Sequence, residues 1–231
     1  MKNFFIFFIF FISSTFSKAD FFSGIKALER GHYETALNAF KKESNKGNLR
    51  AKNNLGYLYE HGLGVEQNFL KAFSHYSYAA QKGLADAQFN LGTFFYFGKG
   101  IEVNYSLAYS FFKKAAKVGL SEAEYMLGES YRKGTGVKRD STSALSWYLK
   151  AAKKGNSDAQ LMSSVLYLSG EAWRKELVKS FIWAEIALQN GNEEASKIIK
   201  KLEKKISKED RFKASRDALR CIKSKYKNCP Y

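Results

Sequence analysis

The sequence predicts an all-α protein, a solenoid of about four to five 36-residue helical hairpins with a C-terminal capping helix region. Three observations predict it. Gly47, Gly83, Gly119, Gly155 and Gly191 recur at one period, as do Ala51, Ala87, Ala123, Ala159 and Ala195, and Gly62, Gly98, Gly134 and Gly170. The pairs Leu55-Gly56, Leu91-Gly92 and Leu127-Gly128 keep the same register, with Ser163-Ser164 in the fourth copy. Finally, a single proline in 231 residues leaves helices uninterrupted. A fixed period of about 20–50 residues marks stacked repeats, each too small to bury its apolar face alone.

From the N-terminus, Met1-Lys2-Asn3 is short and positive, Phe4 to Ile12 is an unbroken apolar run, and Ser13 to Ala19 is small and polar. This is the layout of a secretory signal peptide over 1–19, cut after Ala19. Its apolar run falls far below the ~20 residues that span a bilayer as a helix. Residues 20–31 form an N-terminal capping helix. Hairpins follow over about 32–67, 68–103, 104–139 and 140–175, with a degenerate one at 176–200. Residues 201–231 are read as basic C-terminal capping helices and tail.

Within the second hairpin, Ala72, Tyr76, Ala79 and Ala80 share one face of a first helix, which ends at Lys82-Gly83. Glycine there accepts the left-handed conformation of a helix terminus. The second helix carries Leu84, Ala87, Leu91 and Phe95 on one face and stops at Gly98-Lys99-Gly100. Asn68, Asn104 and Asp140 stand four residues before Ala72, Ala108 and Ala144, where a side chain caps free amides. Gly-x-Gly at 62–64, 98–100 and 134–136 follows helices and never continues into Gly-Lys-Ser/Thr, so these are turns and not phosphate loops.

Ala108, Phe112, Ala115-Ala116, Gly119, Ala123, Leu127-Gly128, Tyr131 and Gly134-Thr135-Gly136-Val137 together make the third copy. In this combination, over about residues 24–200, the chain resembles the Sel1-like repeat family, relatives of the tetratricopeptide repeats. The resemblance implies a right-handed α–α superhelix that serves as an adaptor for other proteins. It also implies that the first helix of each hairpin lines a concave groove.

Lys+Arg number 38 against 22 Asp+Glu, a net charge of +16 that favours anionic contacts. The two cysteines, Cys221 and Cys229, lie eight apart. An even count in an exported chain favours a disulfide. Straight α-helix would hold their Cα atoms about 12 Å apart, so a turn is expected around Ser224 to Asn228. His32, His61 and His75 have no paired spacing, which disfavours zinc. No nucleophile elbow appears and no Ser/His/Asp set recurs, so no catalytic, cofactor-binding or metal residue is assigned and the chain is not read as an enzyme.

Lys42, Tyr78, Lys114 and Lys150 occupy one repeat position and are expected to form a ladder along the first helices, with Lys46, Lys82 and Lys154 extending it. This ladder is the candidate partner-binding site, suited to an acidic protein or peptide. The column His75, Phe111, Trp147 and Trp183 is assigned to packing. The expected function is an exported scaffold, periplasmic or secreted, that binds protein or peptide partners through its concave face. The alternative is a basic envelope protein that binds anionic polymers or lipid headgroups, the membrane surface being met by the basic tail. A third, weaker alternative is a cell-wall-acting hydrolase on a repeat scaffold. Nucleic acid is excluded by compartment.

Overall fold

The computed structural model describes residues 20–229, so the expected signal peptide and its cut after Ala19 lie outside the described residues. The described residues form twelve helices and no strand. They are α1 (20–29), α2 (Tyr33–Asn45), α3 (Leu49–His61), α4 (Phe69–Gln81), α5 (Ala85–Phe97), α6 (Tyr105–Lys117), α7 (Ser121–Lys133), α8 (Ser141–Ala152), α9 (Ser157–Ser169), α10 (Leu177–Gln189), α11 (Ala195–Glu203) and α12 (Lys208–Lys223). The even-numbered helices up to α10 are first helices, and their odd-numbered successors are second helices. The chain divides into two compact units, one up to Val103 and one from Asn104 onward.

Side-chain caps set where the first helices begin. Asn68 accepts from the amide of Lys71, Asn104 from Leu107, and Asp140 from Thr142 and Ser143. Asn48 and Asn156 cap the second helices α3 and α9, whereas Leu84 and Leu120 stand at the same place without a side-chain bond. Leu84 therefore precedes α5 and does not lie on its buried face. Phe94, fully buried, fills the core position that the periodicity assigned to Phe95. Each of α3, α5, α7 and α9 ends on a left-handed glycine, at Gly62, Gly98, Gly134 and Gly170.

In the first unit, Ala36, Phe40, Leu55, Leu58, Ala72, Tyr76, Leu91 and Phe94 form the interior. A Cβ on Gly56 would lie 2.7 Å from the Tyr76 ring, so only glycine lets α4 pack so closely on α3. Glu60 is buried beneath this seam, where its carboxylate accepts from Tyr76 Oη at 2.8 Å and pairs with Lys99 Nζ at 2.5 Å. Burial, then the Glu60 charge, drives the Tyr76 phenol far above its ordinary pKa.

The second unit repeats the seam between α7 and α8. A Cβ on Gly128 would lie 2.5 Å from the Tyr148 ring. The Tyr148 hydroxyl donates to the buried Glu129 carboxylate, which also pairs with Arg132 at 2.9 Å and Lys133 at 2.6 Å. Burial alone would raise the Glu129 pKa, but these donors outweigh it and hold the carboxyl at about 2.

At the next seam, α9 against α10, the pattern changes. Ser164 replaces the glycine, and Ala184 stands 36 residues after Tyr148. Ser164 and Ser180 each donate to the other's backbone carbonyl at 2.8 Å, so two buried hydroxyls tie α9 to α10 where the ring is absent. Beyond it, α12 packs on α10 through the buried Ala214, Ala218 and Cys221. Residues 224–228 turn, and Cys221 and Cys229 form a disulfide with Cα atoms 4.6 Å apart. The turn presents Tyr226, whose hydroxyl meets the Asn190 side chain, itself bonded to Gln160.

Candidate partner-binding face

Residues three and four apart on a helix share a face, so α2, α4, α6 and α8 each present a row two turns long that ends at the predicted ladder position. In the first unit the α4 row is Lys71, His75 and Tyr78. Lys71 Nζ lies 5.3 Å from the Tyr59 ring centroid, and the His75 ring stacks on Tyr59 at 5.5 Å with a 12° interplanar angle. Burial, then the Lys52 charge, lowers the His75 pKa. Lys52 Nζ sits 3.9 Å over the ring of Tyr78, which is 44% exposed.

Lys42 stands at the end of the α2 row, and its ammonium is 2.8 Å from Asp20. The hydrogen bond from Lys42 holds the Asp20 carboxyl below its ordinary pKa. Lys46 is shared between Asp20 and the fully buried Glu43, which takes the slot that Ala79 fills in the next hairpin. The positive charge expected at this end of the ladder is thus matched by carboxylates.

In the second unit the cations stand on aromatic rings of their own helix. Lys114 Nζ lies 5.0 Å from the Phe111 centroid, and Lys150 Nζ lies 3.8 Å from Trp147. Each such contact is worth about 0.5–1 kcal/mol at an exposed site, enough to bias the ammonium's position while its donors still face solvent. One hairpin further on, Lys179 sits 5.6 Å from Tyr167, the counterpart of Lys71 on Tyr59 three periods earlier. Lys154 does not extend this set, because its ammonium donates to the Gly119 carbonyl and pairs with Glu124 at 2.7 Å.

The aromatic column divides in two. Trp183 is fully buried, as expected of packing, whereas Phe111 and Trp147 are half-buried and support lysines. The Tyr–Glu–cation clusters under the seams were not anticipated, because Glu60 and Glu129 occupy different repeat positions.

The fourth hairpin adds an open cavity of about 320 Å³ lined by Thr142, Leu145, Tyr167, Trp173, Arg174 and Lys179. It lies where Ala172-Trp173 replaces the Gly136-Val137 of the preceding copy. Thr142 Oγ1 donates to the Ala172 carbonyl, and Trp173 is left 74% exposed. Among the described residues no group of three or more His, Cys, Asp or Glu is placed to hold a metal ion, and no helix is long and apolar enough to cross a membrane.

Comparison with known proteins bears directly on these helices. The Sel1 repeat model matches four successive segments, 49–84, 85–120, 121–156 and 157–192. Its phase joins each second helix to the following first helix, the same pairing in which Gly56 meets Tyr76 and Gly128 meets Tyr148. A protective antigen present in uropathogenic Escherichia coli strains, with an SLR fold, is 30% identical at a TM-score of 0.81 over 91% of this chain and 47% of that one. This chain therefore spans about half of that relative. A Sel1 repeat protein from Oxalobacter formigenes is 31% identical at a TM-score of 0.74, covering 85% of this chain and 82% of the other. No curated protein sequence matches.

Proposed function

The chain belongs to the Sel1 repeat family, and from that premise we propose that it is an exported, non-enzymatic scaffold that holds a protein or peptide partner on the outward face of its first helices. The family's all-α repeat fold commonly serves protein interaction. The observation that carries the reading to particular residues is the repeated placement of Lys114 on Phe111 and Lys150 on Trp147. Ammonium groups one period apart, each over a half-buried ring, offer charge and apolar area at the repeat spacing. That combination suits an extended segment carrying acidic and apolar side chains.

In the first unit, Lys42 and Tyr78 hold the same repeat position in different roles. Lys42 is balanced by Asp20, while Tyr78 contributes an exposed ring beneath Lys52. The periplasm or the cell exterior suits the Cys221–Cys229 disulfide, which persists in oxidising compartments. The test is affinity capture from envelope extract by the mature chain and by a Lys114→Glu/Lys150→Glu variant. Retention of a defined protein by the parent and its loss from the variant supports the site. Equal retention by both removes it.

A further inference from the structure

Positive charge is spread unevenly along the chain. Residues 197–229 hold thirteen Lys and Arg against four Asp and Glu, whereas 20–196 hold twenty-three against eighteen. Net charge is therefore concentrated in the last helices. Three of the four acids there bond to close neighbours: Glu209 to Lys213, Asp217 to Arg220 and Asp210 to Ser207. By contrast, Lys200, Lys201, Lys204, Lys205 and Lys208 make no ion pair among the described residues. The first four line an open depression of about 610 Å³ beside Glu203.

Exposed apolar side chains follow on α12, which begins at Lys208 just after this cluster in the chain. Its inner face, Ala214, Ala218 and Cys221, is buried in the core. Its outer stripe runs Lys208, Phe212, Arg216, Leu219 and Lys223, every member exposed. Phe212 is 72% and Leu219 45% exposed, about one and three helical turns along α12 from Lys208. An amphipathic helix with basic residues beside exposed Phe and Leu is suited to the boundary between lipid headgroups and acyl chains. A soluble polyanion would engage the lysines and gain little from Phe212.

We propose that the outer stripe of α12 and the adjoining lysines form a peripheral docking surface for a phospholipid bilayer bearing anionic headgroups. This surface uses none of the residues proposed to hold the protein partner. Lys204, Lys205 and Lys208 meet the phosphates, Phe212 and Leu219 enter the headgroup boundary, and the fixed inner face keeps α12 in place on α10.

The test is sedimentation of the mature chain with vesicles of phosphatidylcholine alone, or of phosphatidylcholine containing one-third phosphatidylglycerol. Binding is expected only to the second and is expected to fall as salt rises. Each lysine near an anionic surface contributes about a fivefold factor, so Lys204→Gln/Lys205→Gln/Lys208→Gln should weaken binding on the order of 100-fold. Phe212→Ser should weaken it several-fold further, and Lys114→Glu/Lys150→Glu should leave it unchanged. These positions are exposed, and unaltered thermal unfolding of each variant checks that it folds. Binding indifferent to phosphatidylglycerol or to the triple substitution overturns the proposal. So does equal binding to soluble polyglutamate with no effect of Phe212→Ser.

Discussion

The α7–α8 seam and the α9–α10 seam occupy equivalent places one period apart, yet they are closed by different chemistry. The first packs the Tyr148 ring against Gly128 and ties its hydroxyl to a carboxylate held by Arg132 and Lys133. The second is tied by the reciprocal hydrogen bonds of the Ser164 and Ser180 hydroxyls. It is followed by α12, the Cys221–Cys229 disulfide and the Tyr226–Asn190 contact. The difference teaches that a repeat can lose its defining glycine and aromatic together, because each exists to accommodate the other. Where both are lost, helix α10 is covered by the segments that follow it.

The sharpest way to break this comparison is to add volume at the regular seam. Gly128→Val forces a branched side chain into the Tyr148 ring and should cost about 3 kcal/mol in urea unfolding. Removing the buried anion comes next. Glu129→Ala strands Arg132 and the Tyr148 hydroxyl and should cost about 2–3 kcal/mol. Its pH dependence has a definite sign. Burial opposes ionisation of Glu129, but the surrounding donors win and hold its pKa at about 2, below its ordinary 4.5. The stabilisation is therefore complete above pH 4.5 and is lost as pH falls through about 2. Unfolding curves of the parent and Glu129→Gln should converge across that acid range, while the Ser164–Ser180 seam contributes no such trend.

Smaller effects probe the other side of the comparison. Replacing Cys221 and Cys229 by serine opens a short loop and should cost about 2 kcal/mol, with the loss confined to the tail if Tyr226 releases Asn190. Faster amide exchange in 208–229 with little change around Gly128 checks that confinement. Ser164→Ala removes one neutral hydrogen bond and should cost about 1 kcal/mol, well below Gly128→Val.

Much of this was legible in the sequence because the period is a packing period. The glycine and alanine landmarks located the helices, and Asn68, Asn104 and Asp140 cap where their spacing predicted. The reading was weaker where a face, not a register, decides. Phe94 and Phe95 are adjacent aromatics, and only the angle at which α5 meets its neighbours selects Phe94 for the core. Glu60 and Glu129 escaped because period arithmetic aligns Glu60 with Arg132. Three residues apart on α7, Glu129 and Arg132 share a face, so helical spacing would have linked them. At the predicted ladder, register alone grouped Lys42 with Lys114 and Lys150. The structure separates a lysine balanced by Asp20 from two that stand on rings.

The face of the first helices is tested most directly by placing a photo-cross-linking residue at Trp147 in living cells, with the same residue at Glu122 on α7 as control. The account predicts one defined cross-linked protein from position 147, abolished by Lys114→Glu/Lys150→Glu, and none from position 122. Equal cross-linking from both positions, or products at 147 that survive the charge reversal, would contradict it.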